Sequence, residues 1–187
     1  MPRSLRPVPV TITFLEMTAR PARPWPRPVN LNIAQLQARD IPLHFYRYLQ
    51  WRVGKNHHWE YRLHMEDERL AAIVHAETTV ITVLYLDGAP AGFFEIDRKD
   101  SPIVDLAYFG LMPHATGRGL GRWFLGQALE RAWETDPQKV TVNTNTIDHP
   151  AALRLYQQAG FSPVRQADAR IRPLGDTRLV EIARSDA

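Results

Sequence analysis

Residues 104–129, VDLAYFGLMPHATGRGLGRWFLGQAL, decide how the rest of the chain is read. Val104–Met112 is apolar and aromatic with one carboxylate, Asp105, the composition of a largely buried strand. Pro113 stops that strand, and a short polar connection leads to three glycines at alternate positions, Gly117, Gly119 and Gly121. From Leu120 onward, Leu125, Ala128, Leu129 and Ala132 fall three or four apart, the spacing of one helical face. A strand, a glycine-rich turn and a helix start together form an anion site. The free N–H groups of the first helical turn converge there, and glycine lets a ligand approach the backbone with no Cβ in the way. The stretch predicts a phosphate cradle, although a tight strand-to-helix turn that merely needs glycine has the same local pattern.

Two common nucleotide signatures are absent. No G-x-x-x-x-G-K-[ST] occurs, and G-x-G-x-x-G would need glycine where Arg122 or Phe124 stands. A second segment, about thirty residues downstream, reads HPAALRLYQQAGF from His149 to Phe161. Together the two segments resemble the Gcn5-related N-acetyltransferase (GNAT) family. Its cofactor loop reads Arg/Gln-x-x-Gly-x-Gly/Ala, against Thr116-Gly117-Arg118-Gly119-Leu120-Gly121 here, and its closing helix reads N-x-x-A-x-x-L-Y-x-x-x-G-F. Leu155, Tyr156, Gly160 and Phe161 match that helix, whereas Thr116 and His149 depart from the pattern. The two motifs stand in the family's order, separated by a helix and a strand, and cover roughly a third of the chain.

The resemblance implies a single α/β (mixed α+β) domain over residues 1–187. Its central sheet would be mixed but mostly antiparallel, flanked by helices and splayed at its central strands. It implies acetyl-CoA as acetyl donor and an N-acetyltransferase of the EC 2.3.1 acyltransferase class. The acceptor would be a primary amine of a small molecule or peptide, attacking directly in a ternary complex. Cofactor contacts are expected from Phe109, Leu111 and Met112 on the strand and from Thr116, Gly117, Arg118, Gly119, Leu120, Gly121 and Arg122 in the loop. Asn145, His149 and Tyr156 are expected further along, with Asn143 beside them. The Leu111 amide would polarise the thioester carbonyl, and Tyr156 would protonate the departing thiolate as general acid. Asp105 and Glu95 compete for the general base. Strand parity places Asp105 with Ala107, Phe109 and Leu111 on one face and Tyr108 on the other. His149 reads either as a cofactor contact or as a first-turn helix residue beside a capping Asp148. A non-catalytic acyl-CoA-binding or regulatory module is the alternative, drawn from the departures at Thr116 and His149.

Composition limits the remaining classes. The 187 residues carry 44% hydrophobic and 23% charged side chains, ordinary for one globular domain. The net charge is +3, with no long basic run, so nucleic-acid binding is not expected. There is no cysteine, which excludes disulfides, thiolate metal sites and an acyl-cysteine route. His57, His58 and His64 match no common metal spacing, so no metal is expected, and no serine lies in G-x-S-x-G. Without an apolar span or signal peptide, no membrane association is expected and a cytoplasmic protein is the default. A homodimer through exposed strand edges near the C-terminus is a further expectation.

Along the chain, residues 1–9 read as an irregular lead-in and Val10–Met17 as a strand. Residues 18–30, with Pro21, Pro24, Pro26 and Pro28, read as an extended connection in which Trp25 anchors onto the core. A short helix is expected from Ile33, then a second helix over Pro42–Val53. Trp59–His64 reads as an aromatic irregular stretch and Met65–Ala76 as a helix. Thr78–Leu86 and Ala91–Asp97 form a hairpin about Asp87-Gly88. After the pivotal strand, Leu120–Thr135 is helix, Lys139–Asn145 strand and Pro150–Ala159 helix. Phe161–Arg172 and Thr177–Ile182 read as a final pair of strands. The acceptor site is expected from the N-terminal half: Tyr46, Tyr48, the WEYRLH stretch and the wall at Phe93–Glu95.

Overall fold

The structure is a computed structural model, and it describes residues 6–23, 25–173 and 175–184. Residues 1–5 of the expected lead-in, Pro24 and Leu174 therefore lie outside the described residues. Seven strands form one sheet in the order β2-β3-β4-β5-β6-β1-β7. They are β1 (Val8–Met17), β2 (Ile33–Ala38), β3 (Thr79–Leu86), β4 (Ala89–Asp97), β5 (Ile103–Leu111), β6 (Lys139–Asn145) and β7 (Ser162–Ile171). Every neighbouring pair is antiparallel except β5 with β6.

Helices cover both faces. On one, α3 (Leu120–Ala132) and α4 (Ala152–Ala159) bury Leu125, Ala128, Leu129, Tyr156 and Ala159 against Leu15, Phe94, Ile96, Leu106 and Val142. On the other, α1 (Leu43–Gly54) and α2 (Asp67–Val74) bury Tyr46, Leu49, Val53, Leu70 and Val74 against Ile81, Val83 and Phe93. In α1 the buried residues recur at three- and four-residue steps, the period of one helical face. Trp25 anchors the proline-rich connection, its ring lying over Gly126 of α3, where an added Cβ would come within 3.3 Å of Trp25 Cε3.

Two expectations are corrected. Ile33–Ala38, expected as a short helix from its alanine, leucine and glutamines, is strand β2, paired with β3 from Ile33↔Leu86 to Ala38↔Ile81. Six residues gain too few internal hydrogen bonds to offset helix nucleation, and pairing along the edge of β3 satisfies the same backbone groups. Thr177–Ile182, expected as a strand, lies in helix α5 (Asp176–Arg184). Its Leu179 and Ile182 are three apart, and Arg178 pairs with Glu181 at 3.2 Å across one turn.

The feature that makes room for a site is the parallel pair. β5 and β6 are in register only at Ile103↔Lys139, Val104↔Val140 and Asp105↔Thr141. β5 then continues to Leu111 and β6 to Asn145 without pairing. Both strands run the same way, so a V-shaped cleft opens toward their C-terminal ends. This is the splay expected at the central strands.

Candidate functional site

The cleft has a volume of about 900 Å³ and is lined by several elements. β5 contributes Leu106–Leu111, the following turn Thr116, Gly117, Gly121 and Arg122, and β6 with its following turn Asn143, Asn145, Asp148 and His149. Tyr156 of α4, the segment between α1 and α2, and Arg170–Arg172 at the end of β7 complete it.

At the glycine turn, Gly117 and Gly119 hold φ of +73° and +76°, and an added Cβ at either would meet nothing within 4 Å. Glycine stands there for its left-handed backbone, not for lack of space. Gly119 is the N-cap of α3, which has no side-chain cap and no acidic residue in its first turn. Its first N–H groups are thus free for an anion, and Arg122 adds positive charge at the cleft wall. Thr116 Oγ1 donates to Pro113 O at 2.8 Å, closing the turn before the loop. Arg118 does not line the cleft and stands 4.0 Å from Asp87. Leu120 is buried in the core, so the loop it belongs to offers backbone, not its side chain.

Along β5, the Met112 N–H donates to Ala91 O at 2.8 Å. Successive amides of a strand face opposite edges, so the Leu111 N–H points toward the splayed edge and the Met112 N–H does not. Met112 is buried on the α1 side and does not line the cleft. Phe109 lines it and packs 6.4 Å, edge to face, from the Tyr156 ring. Tyr156 is buried, and burial pushes its phenol well above the usual tyrosine range, with the charges of Asp148 and Asp105 pushing the same way. Among the described residues its hydroxyl makes no hydrogen bond. A phenol so placed keeps its proton at neutral pH.

The strand parity is corrected. Glu95 pairs with Tyr108 and Ile96 with Leu106, so Ala107 is an extra residue bulging from β5. Leu106 and Phe109 consequently pack on the α3 side together, and Tyr108 packs on the α1 side. Asp105, opposite Asp97 in the register, falls on the Tyr108 side instead of with Phe109 and Leu111. Asp105 does not line the cleft. It closes the apex of the splay, accepting from Thr141 Oγ1 at 2.5 Å, and burial raises it above the ordinary carboxylate range against that hydrogen bond.

Glu95 also lies off the cleft, fully buried under the α1 side of the sheet. It accepts from Tyr46 Oη at 2.5 Å and Arg62 Nη2 at 2.7 Å. Burial raises its carboxyl, and Arg62 opposes the rise. Tyr46 is part of this network, and the exposed Tyr48 stacks on Phe45 away from the cleft. Of the expected acceptor wall, only the WEYRLH stretch faces the cleft, through Trp59, Glu60, Tyr61 and His64.

That stretch is a strap across the opening. Trp59 Nε1 donates to Asp148 Oδ1 at 2.9 Å, and His57 Nδ1 lies 3.0 Å from Ile147 O. At the other end Trp59 packs on Gly110 of β5, where an added Cβ would come within 2.4 Å of Val53 Cγ1 and 3.1 Å of Trp59 Cη2. Asp148 is not a helix cap. Its second oxygen accepts from Thr144 Oγ1 at 2.8 Å and Asn145 N at 2.9 Å, holding the turn after β6. His149 Nδ1 accepts from Ala151 N at 3.1 Å, and its ring lies 6.1 Å from that of His57. Gly110→Ala is therefore expected to push Trp59 and Val53 apart, at a cost of about 1–3 kcal/mol. A thermal melt, with Trp59→Phe as the comparison for the altered emission, measures it.

The sequence model of the acetyltransferase (GNAT) family matches residues 38–161, which span both the glycine turn and Phe161. The chain belongs to this family. A GCN5-related N-acetyltransferase from Sphaerobacter thermophilus has 18% identity and a TM-score of 0.59, over 91% of this chain and 54% of that one. A tandem GNAT protein from the clavulanic acid biosynthesis pathway has 16% identity and a TM-score of 0.60, over 91% of this chain and 56% of that one. The aminoglycoside N-acetyltransferase AAC(6')-Iy, in complex with CoA, has 22% identity and a TM-score of 0.54, over 74% of this chain and 94% of that one. The chain spans little more than half the length of the first two, and at these identities the similarity shows the fold. No curated protein matches. Among the described residues, no helix is long and apolar enough to cross a membrane, and no group of three or more His, Asp or Glu could hold a metal.

Proposed function

We propose that this GNAT protein is an acetyl-CoA-dependent N-acetyltransferase that acts on a primary amine of a small molecule or peptide by direct attack. One observation carries this reading. Where the pairing of β5 and β6 ends, the outward-turned Leu111 amide, the Tyr156 hydroxyl and the glycine turn all face a single cleft. When bound, acetyl-CoA supplies an acyl carbon activated as a thioester.

This chain's own residues supply the rest. The amides of residues 117–121 and Arg122 bind the pyrophosphate, and Thr116 shapes the turn that presents them. The splayed edge of β5 from Phe109 to Leu111 pairs with the pantetheine arm, and Asn145 and His149 flank it from the β6 side. Leu111 N–H donates to the carbonyl oxygen as negative charge grows there, and the Tyr156 hydroxyl donates to the sulfur as it leaves. Asp105 fixes the apex from which the two strands diverge. Glu95 fixes the strap through Arg62 and the α1 helix through Tyr46.

A screen of CoA thiol release over polyamines, amino acids, aminoglycosides and peptide N-termini tests the proposal. At least one class is expected to accelerate release in proportion to acetylated amine. Acetyl-CoA binding with no transfer to any amine would make the chain an acyl-CoA-binding module.

A further inference from the structure

Neither carboxylate expected as the general base lines the cleft, yet an acceptor amine arrives largely protonated and must lose that proton before it attacks. The strap between α1 and α2 carries an arrangement suited to the task. His58 Nδ1 lies 3.1 Å from Glu60 Oε1, and both residues line the cleft. The Glu60 side chain is only 6% exposed, and its other oxygen is 3.7 Å from His64 Nε2. A carboxylate on Nδ1 fixes the tautomer with its proton there, which leaves Nε2 with its lone pair. His58 Nε2 has no hydrogen-bond partner among the described residues. His58 also holds a φ of +52°, a left-handed conformation that a histidine rarely adopts, so the turn fixes where the ring sits.

We propose that His58 is the base that deprotonates the acceptor amine, and that Glu60 is the positioning residue that holds its tautomer. The assignment rests on the acetyl-transfer reading above and adds the group that reading lacks. His57 is the competing imidazole on the strap, but its Nδ1 faces the Ile147 carbonyl, 3.0 Å away, and no carboxylate among the described residues backs it. A carboxylate stabilises the imidazolium that forms on proton uptake, and a carbonyl does so less. Trp59 lies between His58 and Glu60 in the chain, and its anchoring to Gly110 and Asp148 holds the strap that carries both against the cleft that Leu111 also lines.

The ammonium gives one proton to His58 Nε2, which passes it to solvent. The freed nitrogen lone pair bonds to the acyl carbon, and the carbon–sulfur electron pair leaves with sulfur. Tyr156 gives its proton to that sulfur. The second proton lost by the nitrogen restores the phenol, so the products are the amide, CoA as thiol and one released proton.

The test is His58→Gly with chemical rescue. Glycine adopts the +52° backbone without strain, so the turn keeps its shape. The His58 side chain is 39% exposed, so a small imidazole can reach the space it vacates. CoA thiol release is followed with acetyl-CoA and whichever of spermidine, kanamycin or glycine amide the wild type acetylates. The variant is expected to lose about 30-fold in kcat, with acetyl-CoA affinity and Tm retained, and added imidazole to restore the rate saturably. Glu60→Gln is expected to lose about 10-fold in kcat with little change in KM.

His58→Asn, tolerant of the same φ, repeats the measurement should glycine loosen the turn. A variant kcat within about threefold of wild type, or a loss that imidazole does not recover, overturns the assignment while leaving the transferase reading standing. A wild type that acetylates none of the amines in the full screen fails at the earlier step, and both readings fall together.

Discussion

Tyr156→Phe is expected to lower kcat by about 10²–10³-fold and to leave acetyl-CoA affinity within about twofold, the signature of a group that acts in the transition state and not in binding. The ring packs between Phe109 and Phe161, at centroid distances of 6.4 Å and 5.9 Å, and phenylalanine keeps both contacts. Only the hydroxyl is lost, and among the described residues it has no hydrogen bond to forfeit. Stability should therefore hold, since the ring packing is kept and no protein hydrogen bond is broken. The loss of rate corresponds to about 3–4 kcal/mol of transition-state stabilisation. Steady-state kinetics with the best amine from the screen, beside a thermal melt, separates the two effects. A wild-type kcat in the variant would remove Tyr156 from the chemistry.

Glu95→Ala should have the largest effect on stability. The substitution leaves Arg62, with a side chain only 9% exposed, without its carboxylate, and it takes the partner at 2.5 Å from Tyr46. Stranding a buried charge costs about 3–5 kcal/mol. For a domain of this size each kcal/mol moves Tm by roughly 2–4 °C, so a fall on the order of 10 °C is expected. Glu95→Leu with Arg62→Met should recover much of that fall, because replacing both partners removes the stranded charge. A single substitution that leaves Tm unchanged would show that the buried pair does not hold the strap to the sheet. Any effect on turnover should track the loosened strap, and excess acetyl-CoA should partly offset it by binding the folded state.

What could be read from the residues follows from how local each signal is. The glycine turn, helix α3 and strand β6 declare themselves within a few residues: periodicity, alternation and punctuation agree there, and β6 spans the expected Lys139–Asn145. Segments whose conformation is set by a neighbour were not legible. Ile33–Ala38 carries helix-favouring residues, yet an open edge of β3 makes it a strand. Parity along β5 held only up to Ala107, because a bulge adds one residue and turns every later side chain to the other face. That shift moved Asp105 away from Phe109 and Leu111.

The strap was the least legible part. Trp59 meets Asp148 across 89 positions of sequence, and no local pattern signals such a contact. Gly110 could have hinted at it. A glycine inside a strand marks a close approach, here by an indole, but sequence does not say by what. The histidines at 57 and 58 stood out in the sequence but lacked a partner there. Glu60 two residues on became that partner only through the left-handed turn at His58.

The central claim is that the splay between β5 and β6, with the glycine turn at its mouth, is an acetyl-CoA site. Calorimetric titration of acetyl-CoA into the wild type and Gly119→Val tests it most directly. Valine at φ +76° is strained and removes the turn geometry that presents the first amides of α3. One molecule should bind per wild-type chain, and the variant should bind at least about tenfold more weakly, a loss of about 1.4 kcal/mol. No binding heat with the folded wild type, or equal affinity in both proteins, would contradict the claim.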